Sequence, residues 1–253
     1  MNFKLALAAL SVLAGPAVAA NAAPRTAAHN VVLVHGAWAD GSSWSKVIRL
    51  LQDAGLHVTA VQNSLATLAE ADADARRAIA AQDGPTVLVG HSWSGTIVSD
   101  VGDDPKVSAL VYVAARAPAA GEDFLALQAT FPNTPARAGI VTAADGTTTL
   151  SRPAFLADFA NGVPRRDALV LFAVQEPTKA SLFAERTTAT AWQSKPAYYA
   201  VSKQDRTIDP TFEAFLAKRM NADTITLDAG HLSLVTHPEE IARLIIRAAK
   251  GNN

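Results

Sequence analysis

Residues 88 to 95 read LVGHSWSG. An apolar run, Thr86 to Val89, feeds directly into Gly90, His91, Ser92, Trp93, Ser94 and Gly95. Small residues stand two places before and two places after Ser92. That is the requirement of a sharp strand-to-helix turn in which strand and helix crowd each other and the central serine takes strained backbone angles. Two readings compete for Ser92. It is a helix cap, as serines often are, or a nucleophile raised above the end of a buried strand.

The segments on either side bear on the choice. Asn30 to Val34 (NVVLV), His57 to Val61, Val107 to Val113 (VSALVYV), Lys195 to Val201 and Thr224 to Leu227 read as further strands. Between them, Ser43 to Ala54 places Trp44, Val47, Ile48 and Leu51 at helical spacing with Gly55 as a stop. Leu65 to Gln82, Pro210 to Met220 and His237 to Lys250 are further helical patterns. Alternating strands and helices, with strands apolar throughout, predict an α/β fold: a doubly wound, mostly parallel six-stranded sheet covered on both faces. Residues 23 to 253 then form one domain. The rhythm breaks between Val113 and Lys195, where no strand is evident and six of the nine phenylalanines lie (Phe124, Phe131, Phe155, Phe159, Phe172, Phe183). This predicts a helical cap inserted at about residues 118 to 193, over the sheet edge where ligands of open α/β sheets bind.

A serine nucleophile needs a base, and the base an orienting acid. Downstream of Ser92 only His231 and His237 remain. His231, in LDAGHLS, follows the last strand. His237 precedes Pro238, with Thr236 and Glu239 spaced as a capping box, so it has a structural reading that His231 lacks. Asp205, in SKQDRTI, is the favoured acid because it follows the fifth strand on a polar loop. Asp209 reads as the cap of the next helix, and Asp228 stands too near His231 in sequence to reach around it. Developing negative charge needs N–H donors. Those of Trp93, after the serine, and of Ala37, after Gly36 in the first strand's loop, are placed for it. His35 reads as a residue that hydrogen-bonds its own loop, His91 as one packed beside the nucleophile, and His29 and His57 as ordinary.

Composition bounds the rest. Of 253 residues, 49% are hydrophobic and 18% charged, with net charge −1. Nothing there favours nucleic acid or an anionic membrane as partner. Without cysteine, disulfides, thiol chemistry and Cys-based zinc sites are excluded. The first residues differ. Lys4, an apolar stretch from Leu5 to Leu13, Gly15-Pro16 and the A-x-A cleavage sites Ala17-Val18-Ala19 and Ala20-Asn21-Ala22 read as a secretory signal peptide, residues 1 to 22, too short to span a membrane. The expectation is a periplasmic or secreted protein with no membrane anchor once the leader is removed.

With VLVHGAWADGSSW, LVGHSWSG, SKQDRTI and AGHLSLVTHPEEIARLI in order, the chain resembles the α/β-hydrolases from about residue 30 to 249. Within them it resembles the branch of plant methylesterases, hydroxynitrile lyases and their bacterial esterase relatives. The resemblance implies a triad of Ser92, Asp205 and His231, oxyanion donors at Ala37 and Trp93, and no metal or cofactor. The lyases carry threonine where this chain has Gly36 and lysine where it has Leu232. Their absence implies a serine esterase acting on a small-molecule ester, with Trp38, Phe124 and Leu232 as substrate contacts. Ser94 departs from the commoner glycine. An amidase, a lactonase or a cofactor-free perhydrolase on the same triad, or a non-catalytic ligand-binding protein of this fold, are the alternative readings.

Overall fold

The computed structural model describes residues 27–251. The leader read in residues 1 to 22 lies outside the described residues. Among those, no helix is long and apolar enough to cross a membrane.

The chain runs β1 (Asn30–Val34), α1 (Ser45–Asp53), β2 (His57–Val61), α2 (Leu68–Ala80), β3 (Thr86–His91), α3 (Gly95–Val101) and β4 (Val107–Val113). The insertion follows, with α4 (Phe124–Gln128), β5 (Ile140–Thr142), β6 (Thr147–Leu150), α5 (Arg152–Ala154), α6 (Arg165–Ala173) and β7 (Thr178–Lys179). The chain then returns through β8 (Ala197–Ser202), α7 (Pro210–Arg219), β9 (Asp223–Leu227), α8 (Ser233–Thr236) and α9 (Pro238–Lys250). Six strands form one parallel sheet in the order β2-β1-β3-β4-β8-β9. The expected doubly wound sheet is therefore present, with strand limits within two residues of those read from the sequence.

Every residue of β1 and β3 is buried, which is why those strands are apolar on both faces rather than alternating. Each fully buried valine or leucine there contributes roughly 1.5–3 kcal/mol relative to exposure. α1 buries Val47 and Leu51 on one face. α2 starts where the Thr67 hydroxyl accepts the Glu70 N–H, and it buries Ala71, Ala75 and Ile79. The chain steps from β1 outward to β2 and then back past β1 to β3. The strand order reverses between β1 and β3, and their carboxyl ends flank the crevice where such sheets bind ligands.

The insertion corrects the sequence reading in one respect. It carries a three-stranded antiparallel sheet, β5-β6-β7, as well as helices. Its strands are two to four residues long. Such short, threonine-rich pieces give too few alternations to register as a period. A second correction concerns the start of α9. Its N-cap is His237, without a side-chain capping bond, and the Thr236 hydroxyl bonds the His237 ring at 2.9 Å instead of closing a box with Glu239.

Candidate active site

Ser92 sits at φ +57°, the left-handed region that costs a non-glycine residue about 1–3 kcal/mol. The turn is held there by what surrounds it. A Cβ on Gly90 would come within 2.7 Å of Val98 Cγ2 and 2.9 Å of the Ser94 carbonyl. A Cβ on Gly36 would stand 2.7 Å from Ser92 Cβ. Glycine at both positions lets β1's loop and α3 close on the serine. Ser94 strengthens the turn. Its hydroxyl lies 2.8 Å from the Val34 carbonyl and 2.9 Å from that of His91. It can donate to either, tying the elbow to the end of β1 in a way glycine could not. From the other side, the Arg116 N–H donates to the Ser92 carbonyl at 2.9 Å.

The structure brings Ser92, His231 and Asp205 together from the ends of β3, β9 and β8. His231 Nε2 lies 2.8 Å from Ser92 Oγ, and His231 Nδ1 lies 2.5 Å from Asp205 Oδ2. A carboxylate can only accept. The proton is therefore on Nδ1, and the Nε2 lone pair faces the serine hydroxyl. The other carboxylate oxygen accepts N–H bonds from Thr207 at 2.6 Å and Ile208 at 2.8 Å. All three side chains are buried. Asp209 caps α7 through the N–H groups of Thr211 and Phe212, as its sequence position suggested. Asp228 instead pairs with Lys203 at 3.3 Å.

Neighbouring residues fix this line. The His91 ring donates from Nε2 to the His231 carbonyl at 3.0 Å, and the two rings stand 4.7 Å apart. Burial, then the neighbouring His231, holds His91 well below its ordinary pKa, so it is a neutral spacer. His35 bonds its own loop, with Nδ1 3.0 Å from the Gly36 carbonyl, and burial lowers its pKa. Glu213, on the inner face of α7, is fully buried and accepts the Ser202 N–H at 3.0 Å. Burial first, and Asp205's charge second, push its carboxyl well above the usual range. Its second oxygen meets no N–H or hydroxyl donor. Burial beside the Asp205 charge thus favours Glu213 as a neutral acid. Sequence reasoning passed over Glu213. The signal was a glutamate beside Phe212 on the same helix face as Leu216.

The loop after β1 is held by the cap. Trp38 also has positive φ, +56°. Its backbone N–H donates to Thr178 Oγ1 at 3.1 Å, and its indole N–H donates to Thr148 Oγ1 at 3.2 Å. Thr148 in turn donates to the Thr178 carbonyl at 2.8 Å. Neither threonine stands out in the sequence. The Trp38 ring packs on Phe183 at 5.3 Å, and Phe159 lies 5.1 Å from the His231 ring.

A cavity of about 230 Å³ opens onto Ser92. Trp38 and Phe124, read as substrate contacts, and Ala37 and Trp93, read as oxyanion donors, line it with Phe183 and Phe212. Leu232 is the exception. The turn into α8 carries it behind Trp38 and Phe159, into a crevice of about 10 Å³ apart from Ser92, with room for barely one water. A larger open trough of about 470 Å³ beside Gln62 to Ala66 does not reach Ser92.

The alpha/beta hydrolase family model matches residues 31–244, and the chain belongs to that family. Solved structures agree on the fold. Polyneuridine aldehyde esterase is 19% identical with TM-score 0.74, covering 85% of this chain and 97% of that one. An extracellular alpha/beta-hydrolase from a Paenibacillus species is 20% identical with TM-score 0.72, covering 88% and 99%. A methylesterase from Arabidopsis is 19% identical with TM-score 0.69, covering 87% and 98%. A carbendazim hydrolyzing esterase from Nocardioides sp. (strain SG-4G) is 32% identical over 112 residues, which is 39% of this chain and 46% of that protein. The family match makes the protein an alpha/beta hydrolase, and these solved structures share its fold.

Proposed function

We propose that the protein hydrolyses small carboxylic esters through a covalent acyl-enzyme on Ser92. The observation that carries this reading is the continuous line from Ser92 Oγ through His231 to Asp205, at 2.8 and 2.5 Å, beneath a cavity. Ser92 Oγ attacks the ester carbonyl carbon, and its proton passes to His231 Nε2. Asp205 holds the ring and offsets the charge of the imidazolium. The N–H groups of Ala37 and Trp93 face the oxyanion as it forms. Collapse expels the alkoxide, which takes the proton from Nε2 and leaves as the alcohol. Water then attacks the acyl-serine with His231 as base. The acid departs, and Ser92 regains its proton.

A cavity of about 230 Å³, walled mostly by apolar side chains, favours a small ester. The leader read in the first residues supports export as its setting. The test is hydrolysis of p-nitrophenyl acetate, butyrate and octanoate by the wild type and by Ser92→Ala. The wild type turns over the shorter esters best, and Ser92→Ala loses on the order of 10⁶-fold in kcat. Equal rates in both proteins would return Ser92 to the role of a helix cap.

A further inference from the structure

The cavity above Ser92 is apolar on most of its surface, yet two arginines, Arg116 and Arg137, line it and no aspartate or glutamate does. Arg137 is exposed at its rim. Arg116 is different, being only 5% exposed. Its place is fixed from both sides. Its N–H bonds the Ser92 carbonyl. The preceding residue, Ala115, is stapled by the Tyr199 hydroxyl, which donates to the Ala115 carbonyl at 2.6 Å and accepts its N–H at 3.0 Å. The guanidinium lies between two cavity walls. Its carbon stands 4.2 Å over the Phe124 ring, and both Nη atoms lie 3.2 Å from the Phe183 carbonyl.

These contacts leave the charge without an opposite charge. Among the described residues Arg116 forms no ion pair. Glu122, whose charge reaches it, is taken by Arg219 at 2.7 Å. Arg116 Nε is buried with no acceptor. One carbonyl and one aromatic face satisfy part of a fork of five N–H donors. Anchoring the cap at Phe183 needs only a neutral donor. A buried cation is costly unless it is paired, and burial has already pushed Arg116 down to about 9.

We infer that Arg116 receives an anionic group of the substrate, and that the preferred esters carry a carboxylate away from the bond that is cut. Two arginines on a wall without acids draw such a substrate in, and the planar fork suits a carboxylate. This rests on the esterase reading only for which bond is cut.

The test compares charged and neutral esters of matched shape. Monomethyl adipate is set against methyl hexanoate, and 3-acetoxybenzoate against 3-methylphenyl acetate, by pH-stat. Wild type, Arg116→Gln, Arg116→Lys and Ser92→Ala are used, each checked by thermal melting. In the wild type at least one charged ester exceeds its neutral partner about tenfold in kcat/KM, mainly through KM. Arg116→Gln lowers kcat/KM for the charged ester far more than for its neutral partner, so the ratio is lost, and Arg116→Lys retains part of it. A wild type that favours both neutral esters overturns the inference. So does an Arg116→Gln loss equal for charged and neutral members, which would leave Arg116 as a cap anchor. If the wild type cleaves none of the four, the esterase reading fails separately. Calorimetry then decides Arg116: monomethyl adipate binding to Ser92→Ala, lost when Arg116→Gln is added, supports it, and no binding overturns it.

Discussion

Glu213 shows how a single residue can be silent in sequence and consequential in place. It is a carboxyl with no exposure, one residue from Phe212, pressed on Asp205. Its folded pKa lies above its ordinary 4.5. Above that pH the folded state holds a proton that the unfolded chain has released. Stability therefore falls as pH rises towards the folded pKa, at up to about 1.36 kcal/mol per pH unit. The neighbouring charges are Asp205 and Asp209, and the Tyr199 hydroxyl on β8, raised above its ordinary value mainly by burial, also faces Glu213. Asp72, raised to about 8 by burial and by Asp100, adds a slope of the same sign. The comparison must therefore be a difference. Glu213→Gln keeps a neutral side chain of the same shape beside Asp205, so kcat stays within about threefold, while its melting temperature falls less than the wild type's between pH 5 and pH 9. Parallel melting curves would show that Glu213 is ionised in the fold. Ser92, His231 and Asp205 were legible because each follows a strand in recognisable local context. Glu213 and Arg116 were not, since their meaning comes from partners such as Asp205 and Phe183, far off in the chain.

At the scale of elements, the six main strands were legible because burial on both faces demands unbroken apolar runs, as in VVLV and TVLV. The small cap sheet was not, because β5 is exposed along its length and β7 has two residues. Yet that sheet does specific work. β6 and β7 supply the two hydroxyls that hold Trp38, next to Ala37, at positive φ. Thr178→Val preserves shape and removes the acceptor, leaving the Trp38 N–H unpaired in a buried place. That costs about 1–3 kcal/mol, measurable by urea unfolding. Because the loop carries Ala37, kcat for p-nitrophenyl acetate falls by about tenfold or more. Unchanged kcat with lowered stability would separate the cap sheet from the role proposed for the Ala37 loop.

For the whole molecule, the site is where the topology puts it. The strand order reverses between β1 and β3, and the loops after β1, β3, β8 and β9 meet above that crevice. The sequence showed that strands alternate with helices and in which order the motifs come. The pairing of β3 with β1 and β4 is a long-range fact that propensity does not carry. The cap closes the crevice with apolar rings and leaves Arg116 as the buried charge among its walls.

The bonds that shape this centre join distant parts of the chain. Ser92 and His231 are 139 residues apart, and Trp38 and Thr178 are 140 apart. Closing loops of that length is entropically slow. During refolding from urea, the secondary structure and the α2-type local contacts form early, and competence comes with the last step. Stopped-flow circular dichroism should therefore run ahead of the return of ester turnover. A lag between the two is the kinetic signature of a site whose parts are assembled last, and simultaneous recovery would contradict it.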